Sequence, residues 1–187
     1  MNVYPIEAGN FKLDGGAMFG VVPKSLWTKT NPADADNMIE MSSRCMLVEN
    51  SDKLILVDTG MGDKQSEKFF KYYKRWGSDN LVKSINSAGF SIDDVTDVLL
   101  THLHFDHCGG AVAWDSSKEA YDVLFKNANY WSNEKHWDWA TSPNPREKAS
   151  FLDENLFPIK ESGQLKFINN MSKGFNYCEE LGLEILC

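Results

Sequence analysis

The chain has 187 residues, about the length of one domain, and carries 19 lysines and arginines against 27 aspartates and glutamates, a formal charge of −8. Its hydrophobic share of 42% and aromatic share of 12% exclude the disordered class, and its length falls short of the about 250 residues typical of a (β/α)₈ barrel. The negative charge argues against a nucleic-acid groove or an anionic-membrane anchor, both of which need a basic surface.

The N-terminus has neither the basic segment nor the apolar core of a secretory signal, and no apolar run approaches the ~18 residues of a membrane span. The expectation is a cytoplasmic protein whose cysteines (Cys45, Cys108, Cys178 and Cys187) are free thiols. Glycines and prolines punctuate the first forty residues, which predicts short extended pieces joined by loops. Residues 44–50 and 53–58, separated by Ser51-Asp52, read as a β-hairpin; the continuous apolar run Leu54-Ile-Leu-Val suits a strand covered on both faces. Residues 63–75 and 79–88 have helical spacing, and Gly89 ends the second. A strand follows over 95–101, then a short one around 123–125, a helix over 132–140 capped by Ser132, and a helical piece near 146–156. Short strands are expected at 165–168, 175–178 and 183–187. This order predicts one domain over 1–187 with a layered α/β fold and a partly antiparallel sheet.

Three of the four histidines, His102, His104 and His107, fall within six residues at the carboxyl end of the 95–101 strand, where ligands bind in α/β folds. In extended backbone His102 and His104 point the same way, so both imidazoles reach one metal ion. Asp106 and His107 offer an oxygen and a nitrogen to a second ion close by, and two such ions can polarise a carbonyl or phosphoryl oxygen. Gly109-Gly110 is expected to let the backbone turn tightly beside the ligands. Cys108 reads as a small residue leading into that turn, with a metal-binding thiolate as the other reading.

The segment His102-x-His104-x-Asp106-His107 resembles the HxHxDH signature of the metallo-β-lactamase superfamily. Asp58-Thr59-Gly60, at the end of a strand, resembles that superfamily's first motif. Both are most similar to the branch of quorum-quenching lactonases and other small-molecule hydrolases. The resemblance implies an αββα sandwich, with His102 and His104 as ligands of a first ion and Asp106 and His107 as ligands of a second. It also implies that Asp106 moves the proton of the attacking water and that Asp58 orients the ligand loop. The implied cofactor is zinc, up to two ions, with iron or manganese as other occupants. The implied reaction is attack of a metal-bound hydroxide on an ester, lactone or thioester of a small molecule.

In this family the second half of the sandwich supplies further ligands, a histidine in a Gly-His-Thr-like turn among them. The remaining histidine, His136, has different flanks and is read as a surface or lid residue. The chain is therefore expected to be the N-terminal portion of the domain, incomplete at its C-terminus. It is also expected to form a homo-oligomer or to pack against a missing C-terminal segment, since a half-sandwich exposes apolar faces. The alternative is a non-catalytic half-domain that binds metal weakly and acts through self-association. Aromatic residues around 125–157 read first as core and second as a wall for an apolar substrate. On the second reading Trp137, joined by Phe19 and Trp27, is a substrate-binding candidate.

Overall fold

A computed structural model describes residues 1–168 and 173–186. Its first strand, β1 (Asn2–Asp14), is one 13-residue strand and not the short pieces that the glycines predict. Gly9 sits at φ +135°, and the register against β2 (Met38–Asn50) shifts between Glu7 and Asn10, so this glycine makes a bulge within a continuous strand. Between them lie two short helices, α1 (Gly15–Phe19) and α2 (Lys24–Trp27). The expected hairpin is formed by β2 and β3 (Lys53–Val57), turning at Ser51 with φ +56°. It starts earlier than residue 44 because β1 pairs along the whole of β2.

Helices α3 (Glu67–Tyr72) and α4 (Leu81–Ser87) follow, shorter than the predicted spans, and Asn80 caps α4 by accepting from the amides of Val82 and Lys83. Strand β4 (Asp97–Leu99) leads into the single-turn helix α5 (Phe105–Cys108), then β5 (Val112–Trp114) and β6 (Tyr121–Val123). Strand β7 (Asn129–Ser132) was not expected: its four residues carry no alternation that marks a strand, because it is covered on both faces. Ser132 therefore lies in the sheet, and Asn133 caps α6 (Glu134–Thr141) through the amides of Lys135 and His136. The helical piece expected at 146–156 is displaced to α7 (Asp153–Glu161). The Asn144 side chain accepts the amides of Arg146 and Glu147 and holds that stretch in a turn. Three short strands close the chain: β8 (Leu165–Phe167), β9 (Phe175–Cys178) and β10 (Leu183–Leu186). Cys187, the end of the last expected strand, lies outside the described residues.

The main sheet has the order β1-β2-β3-β4-β7-β8, antiparallel from β1 to β3 and parallel from β3 to β8. Alternation along its strands divides the core. Leu54, Leu56, Val98 and Tyr130 face a helical layer containing Leu81, Ile85, Trp137, Leu156 and Ile159. Ile55 and Trp131 face the other way, onto the β9–β10 hairpin through Cys178 and Leu181. Each such buried aliphatic side chain contributes about 1.5–3 kcal/mol. The outer face of that hairpin leaves Phe175, Tyr177 and Leu186 exposed. Cys45, Cys108 and Cys178 are free and buried. Among the described residues no helix is long and apolar enough to cross a membrane.

The buried Tyr130 hydroxyl accepts the amide of Phe125 at 3.0 Å and lies 3.3 Å from the Ala111 carbonyl, which ties the sheet to the segment after α5. Tyr130→Phe leaves a buried amide unpaired. The expected loss is about 1–3 kcal/mol of unfolding free energy, read as a lower urea midpoint at unchanged m.

Candidate metal centre

Strands β3 and β4 are parallel neighbours, with Val57 opposite Leu99, so the segments leaving their carboxyl ends emerge side by side. From β3 comes Asp58-Thr59-Gly60; from β4 comes Thr101 to Gly110. The two are stitched together. The Asp58 amide donates to the Leu99 carbonyl at 2.9 Å, Thr59 donates from both its amide (2.8 Å) and its hydroxyl (3.0 Å) to the His107 carbonyl, and the Gly110 amide donates to the Gly60 carbonyl at 2.9 Å. Lys64, 4% exposed, adds its Nζ to the Gly109 carbonyl at 2.5 Å, and burial lowers its pKa to about 8.

Gly109 and Gly110 make the expected tight turn, a single 3₁₀ turn over Gly109–Ala111, and do a second job beside it. Gly109 is in ordinary right-handed backbone (φ −61°), and α5 starts before it, at Phe105. What the pair allows is close approach: a Cβ at Gly109 would collide with the Met61 carbonyl, and one at Gly110 with the Thr59 carbonyl. Cys108 is fully buried, donates its thiol to the Leu103 carbonyl at 3.3 Å and has its pKa pushed up to about 12 by burial, so here it is a small core residue.

Asp58 sits at φ +59°, a left-handed conformation that aspartate tolerates, and its carboxylate faces the histidine loop. It lies 2.8 Å from His107 Nδ1 and accepts the Thr101 amide (2.9 Å) and hydroxyl (2.8 and 3.0 Å). The Thr101 oxygen, its proton given to Asp58, is in turn 3.2 Å from His102 Nδ1. One carboxylate thus commits Nδ1 of His107 directly and Nδ1 of His102 through a hydroxyl, and leaves both Nε2 atoms for a ligand. The rings cluster: His102 lies 3.9 Å from His107 and 4.7 Å from His104 between centroids. Burial, then the neighbouring His107 and His104, push the His102 pKa down to about 4, so it is neutral at pH 7. For His107 burial works against the charge, but the bond to Asp58 and the charges of Asp106 and Asp58 outweigh it and raise the pKa.

These donors suit a divalent ion in kind and orientation. His107 Nε2 lies 3.8 Å from Asp106 Oδ2, near the about 3.3–3.6 Å between adjacent ligand atoms of tetrahedral zinc. Among the described residues no group of three or more His, Cys, Asp or Glu side chains meets the geometry of an assembled ion site. The loop presents oriented donors, and drawing them onto an ion takes further movement of the side chains.

A cavity of about 140 Å³ beside His107 and Asp106 is lined by Phe11, Met41, Ser43, Cys45 and Asp58. Next to it Phe11, Met61 and Phe105 form a small core with Phe69, Tyr73 and Met41 packed on it, and the Tyr73 ring is 4.8 Å from Phe105. The substrate-binding candidates lie elsewhere. Trp137 is 4% exposed in the main core, edge-on to Phe167; Trp27 is 5% exposed, stacked under Phe19 at 5.0 Å and filling the space beside Gly15. The structure does not bring these three together. Thr101, Lys64 and the Phe69–Tyr73 pair were missed; of these only the aromatic run in 63–75 left a trace in the sequence. His136, read as a surface or lid residue, is half-buried, and its Nε2 accepts the Leu103 amide at 3.0 Å, which places its ring against the histidine loop.

Residues 39–167 match the family model of the metallo-beta-lactamase superfamily. An N-acyl homoserine lactonase of Bacillus cereus is 28% identical over 104 residues, covering 50% of this chain and 40% of its own length. A probable metallo-hydrolase of Mycobacterium tuberculosis is 31% identical over 108 residues, covering 50% and 35%. The crystal structure of a probable metal-dependent hydrolase from Staphylococcus aureus superposes with a TM-score of 0.82 at 29% identity, over 95% of this chain and 61% of that one. The dizinc quorum-quenching lactonase AidC, with a homoserine product bound, gives a TM-score of 0.65 at 25% identity, over 97% and 65%. The chain thus spans less than half the length of those curated relatives and under two thirds of those structures.

Two substitutions test the geometry. Asp58→Asn keeps the left-handed backbone but loses an acceptor, and zinc affinity read by chelator competition is expected to fall about 10–100-fold. Gly110→Ala forces β3 and the histidine loop apart and is expected to cost about 1–3 kcal/mol or more, read by thermal unfolding.

Proposed function

The chain belongs to the metallo-beta-lactamase superfamily and has its layered α/β fold, and from that premise we propose that it is the N-terminal portion of a metal-dependent hydrolase domain that opens a lactone. Esters and thioesters of small molecules are its next substrates. The observation that carries the reading is the single carboxylate of Asp58, which engages Nδ1 of His107 directly and Nδ1 of His102 through the Thr101 hydroxyl, so that both Nε2 atoms are left for a ligand. The similarity to lactonases supports the lactone over the other acyl compounds.

His102 and His104 would hold one zinc ion, and Asp106 with His107 a second. Bound there, zinc supplies Lewis-acid polarisation of the substrate carbonyl and acidifies water. Asp58 holds His107 and Thr101 and so restricts how the ring of His107 can turn as the donors close on an ion. Asp106 accepts, at the carboxylate oxygen not given to the ion, the proton of the water that attacks the carbonyl carbon, and returns it to the leaving oxygen as the ring opens. Phe11 and Met41 exclude bulk water beside Asp106, which strengthens every charge interaction in the site. The apolar outer face of the β9–β10 hairpin, with Phe175, Tyr177 and Leu186, is where a second copy or further chain would pack.

A second reading is a half-domain that binds metal weakly, has no catalysis and acts through self-association. It is supported by the lack, among the described residues, of an assembled three-donor group. Metal analysis after dialysis and a ring-opening assay separate the two. The expected result is retained zinc and conversion of an N-acyl homoserine lactone to its hydroxy acid, followed by mass spectrometry. Chelation abolishes it, zinc restores it, and Asp106→Asn slows it about 10²–10⁴-fold. A zinc-loaded chain that leaves lactone, ester and thioester untouched overturns the hydrolase reading; no retained metal together with concentration-dependent self-association establishes the second.

A further inference from the structure

The fourth histidine performs a task that the ligand motif does not explain. His136 is in the first turn of α6, where the Asn133 cap accepts its amide, and the next residue, Trp137, is sunk in the core. Those two contacts fix the rotation of the helix and aim the imidazole at the histidine loop. There Nε2 accepts the amide of Leu103, the residue between His102 and His104, at 3.0 Å. The Leu103 side chain is fully buried, so this peptide is held by its side chain on one side and by an imidazole from a separate element on the other. The Phe151 ring lies 5.9 Å from His136 and 4.9 Å from His104, filling the space between the two imidazoles.

The anchors that β3 and the segment after it supply act elsewhere. Asp58, Thr59, Gly60 and Lys64 hold Thr101 and residues 107–110. Among the described residues, two side chains outside the motif hydrogen-bond to the backbone of 102–104: Cys108, whose thiol donates to the Leu103 carbonyl at 3.3 Å from within the same loop, and His136, which comes from a separate element and accepts the Leu103 amide. A buried amide left unpaired is costly enough to rotate this short peptide toward water, and a rotation there changes how His102 and His104 face each other.

We propose that His136 is a positioning residue that fixes the peptide between His102 and His104 and so sets the spacing of these two imidazoles, leaving the Asp106–His107 pair to Asp58. The inference deepens the metal-site reading above and rests on it for the consequence in metal affinity. The hydrogen bond itself is independent of that reading.

The test uses the full chain. In metal-free protein labelled with nitrogen-15, a scalar coupling across the hydrogen bond between the Leu103 amide nitrogen and His136 Nε2 is expected; its absence overturns the proposal. His136→Leu is expected to shift the ring resonances of His102 and His104 by more than those of His107, which feels only the movement of the His102 ring beside it. With cadmium-113 as the probe metal, the same variant is expected to weaken one of two resonances, with affinity for that ion about 10–100-fold lower. His136→Gln, whose Oε1 can accept the same amide, restores both readouts. Equal shifts at all three histidines, or a glutamine variant as impaired as the leucine one, overturn the proposal in favour of a merely structural role. If the leucine variant does not fold, the coupling and the glutamine variant decide. If the unaltered chain binds no metal, the hydrolase reading fails, and the coupling with the ring shifts still decides the role of His136.

Discussion

The Asp58 carboxylate is the interaction on which the rest of the site depends. It receives an amide and a hydroxyl from Thr101 and faces Nδ1 of His107, and through the Thr101 hydroxyl it reaches His102. A carboxylate with three close partners on a loop 43–49 residues away in sequence joins the ends of two strands that would otherwise diverge. It also settles a tautomer question, because a ring nitrogen committed to an acceptor leaves the opposite nitrogen with its lone pair outward. The left-handed backbone at Asp58 is the local strain this requires.

The sheet makes this possible. Parallel pairing of β3 with β4 puts two carboxyl ends at one edge, and parallel pairing of β4 with β7 brings the start of α6 to the same edge. Three segments far apart in the chain therefore meet where backbone amides are not used up by the ladder. Close packing between the first two is permitted by Gly109 and Gly110, which carry no Cβ where the carbonyls of Met61 and Thr59 pass. The third segment arrives with a capped helix and a buried tryptophan, which orient the His136 side chain before any ligand is present.

Hydrophobic spacing made the hairpin, α4 and the strand before the histidines legible, because each buries one pattern of residues against one layer. It failed at β1, where glycine marks a bulge and not an end, and at β7, where a doubly covered strand of four residues has no alternation to read. It also failed at α7, whose start is displaced by the Asn144 turn. Trp27 and Trp137 illustrate a limit of composition: an indole suits a core as well as a substrate wall, and only packing distinguishes the two.

The sequence by itself determined which donor side chains lie together in this protein, because three imidazoles and a carboxylate fall within six residues and local backbone geometry alone brings them near one another. It determined the pairing of Asp58 with that cluster only through motif resemblance. What the tertiary structure decided is which groups hold those donors in place: Thr101 as the relay from Asp58, Lys64 on the Gly109 carbonyl, and His136 on the Leu103 amide. Such contacts join residues tens of positions apart through single hydrogen bonds, and a hydrogen bond leaves no periodicity in the chain.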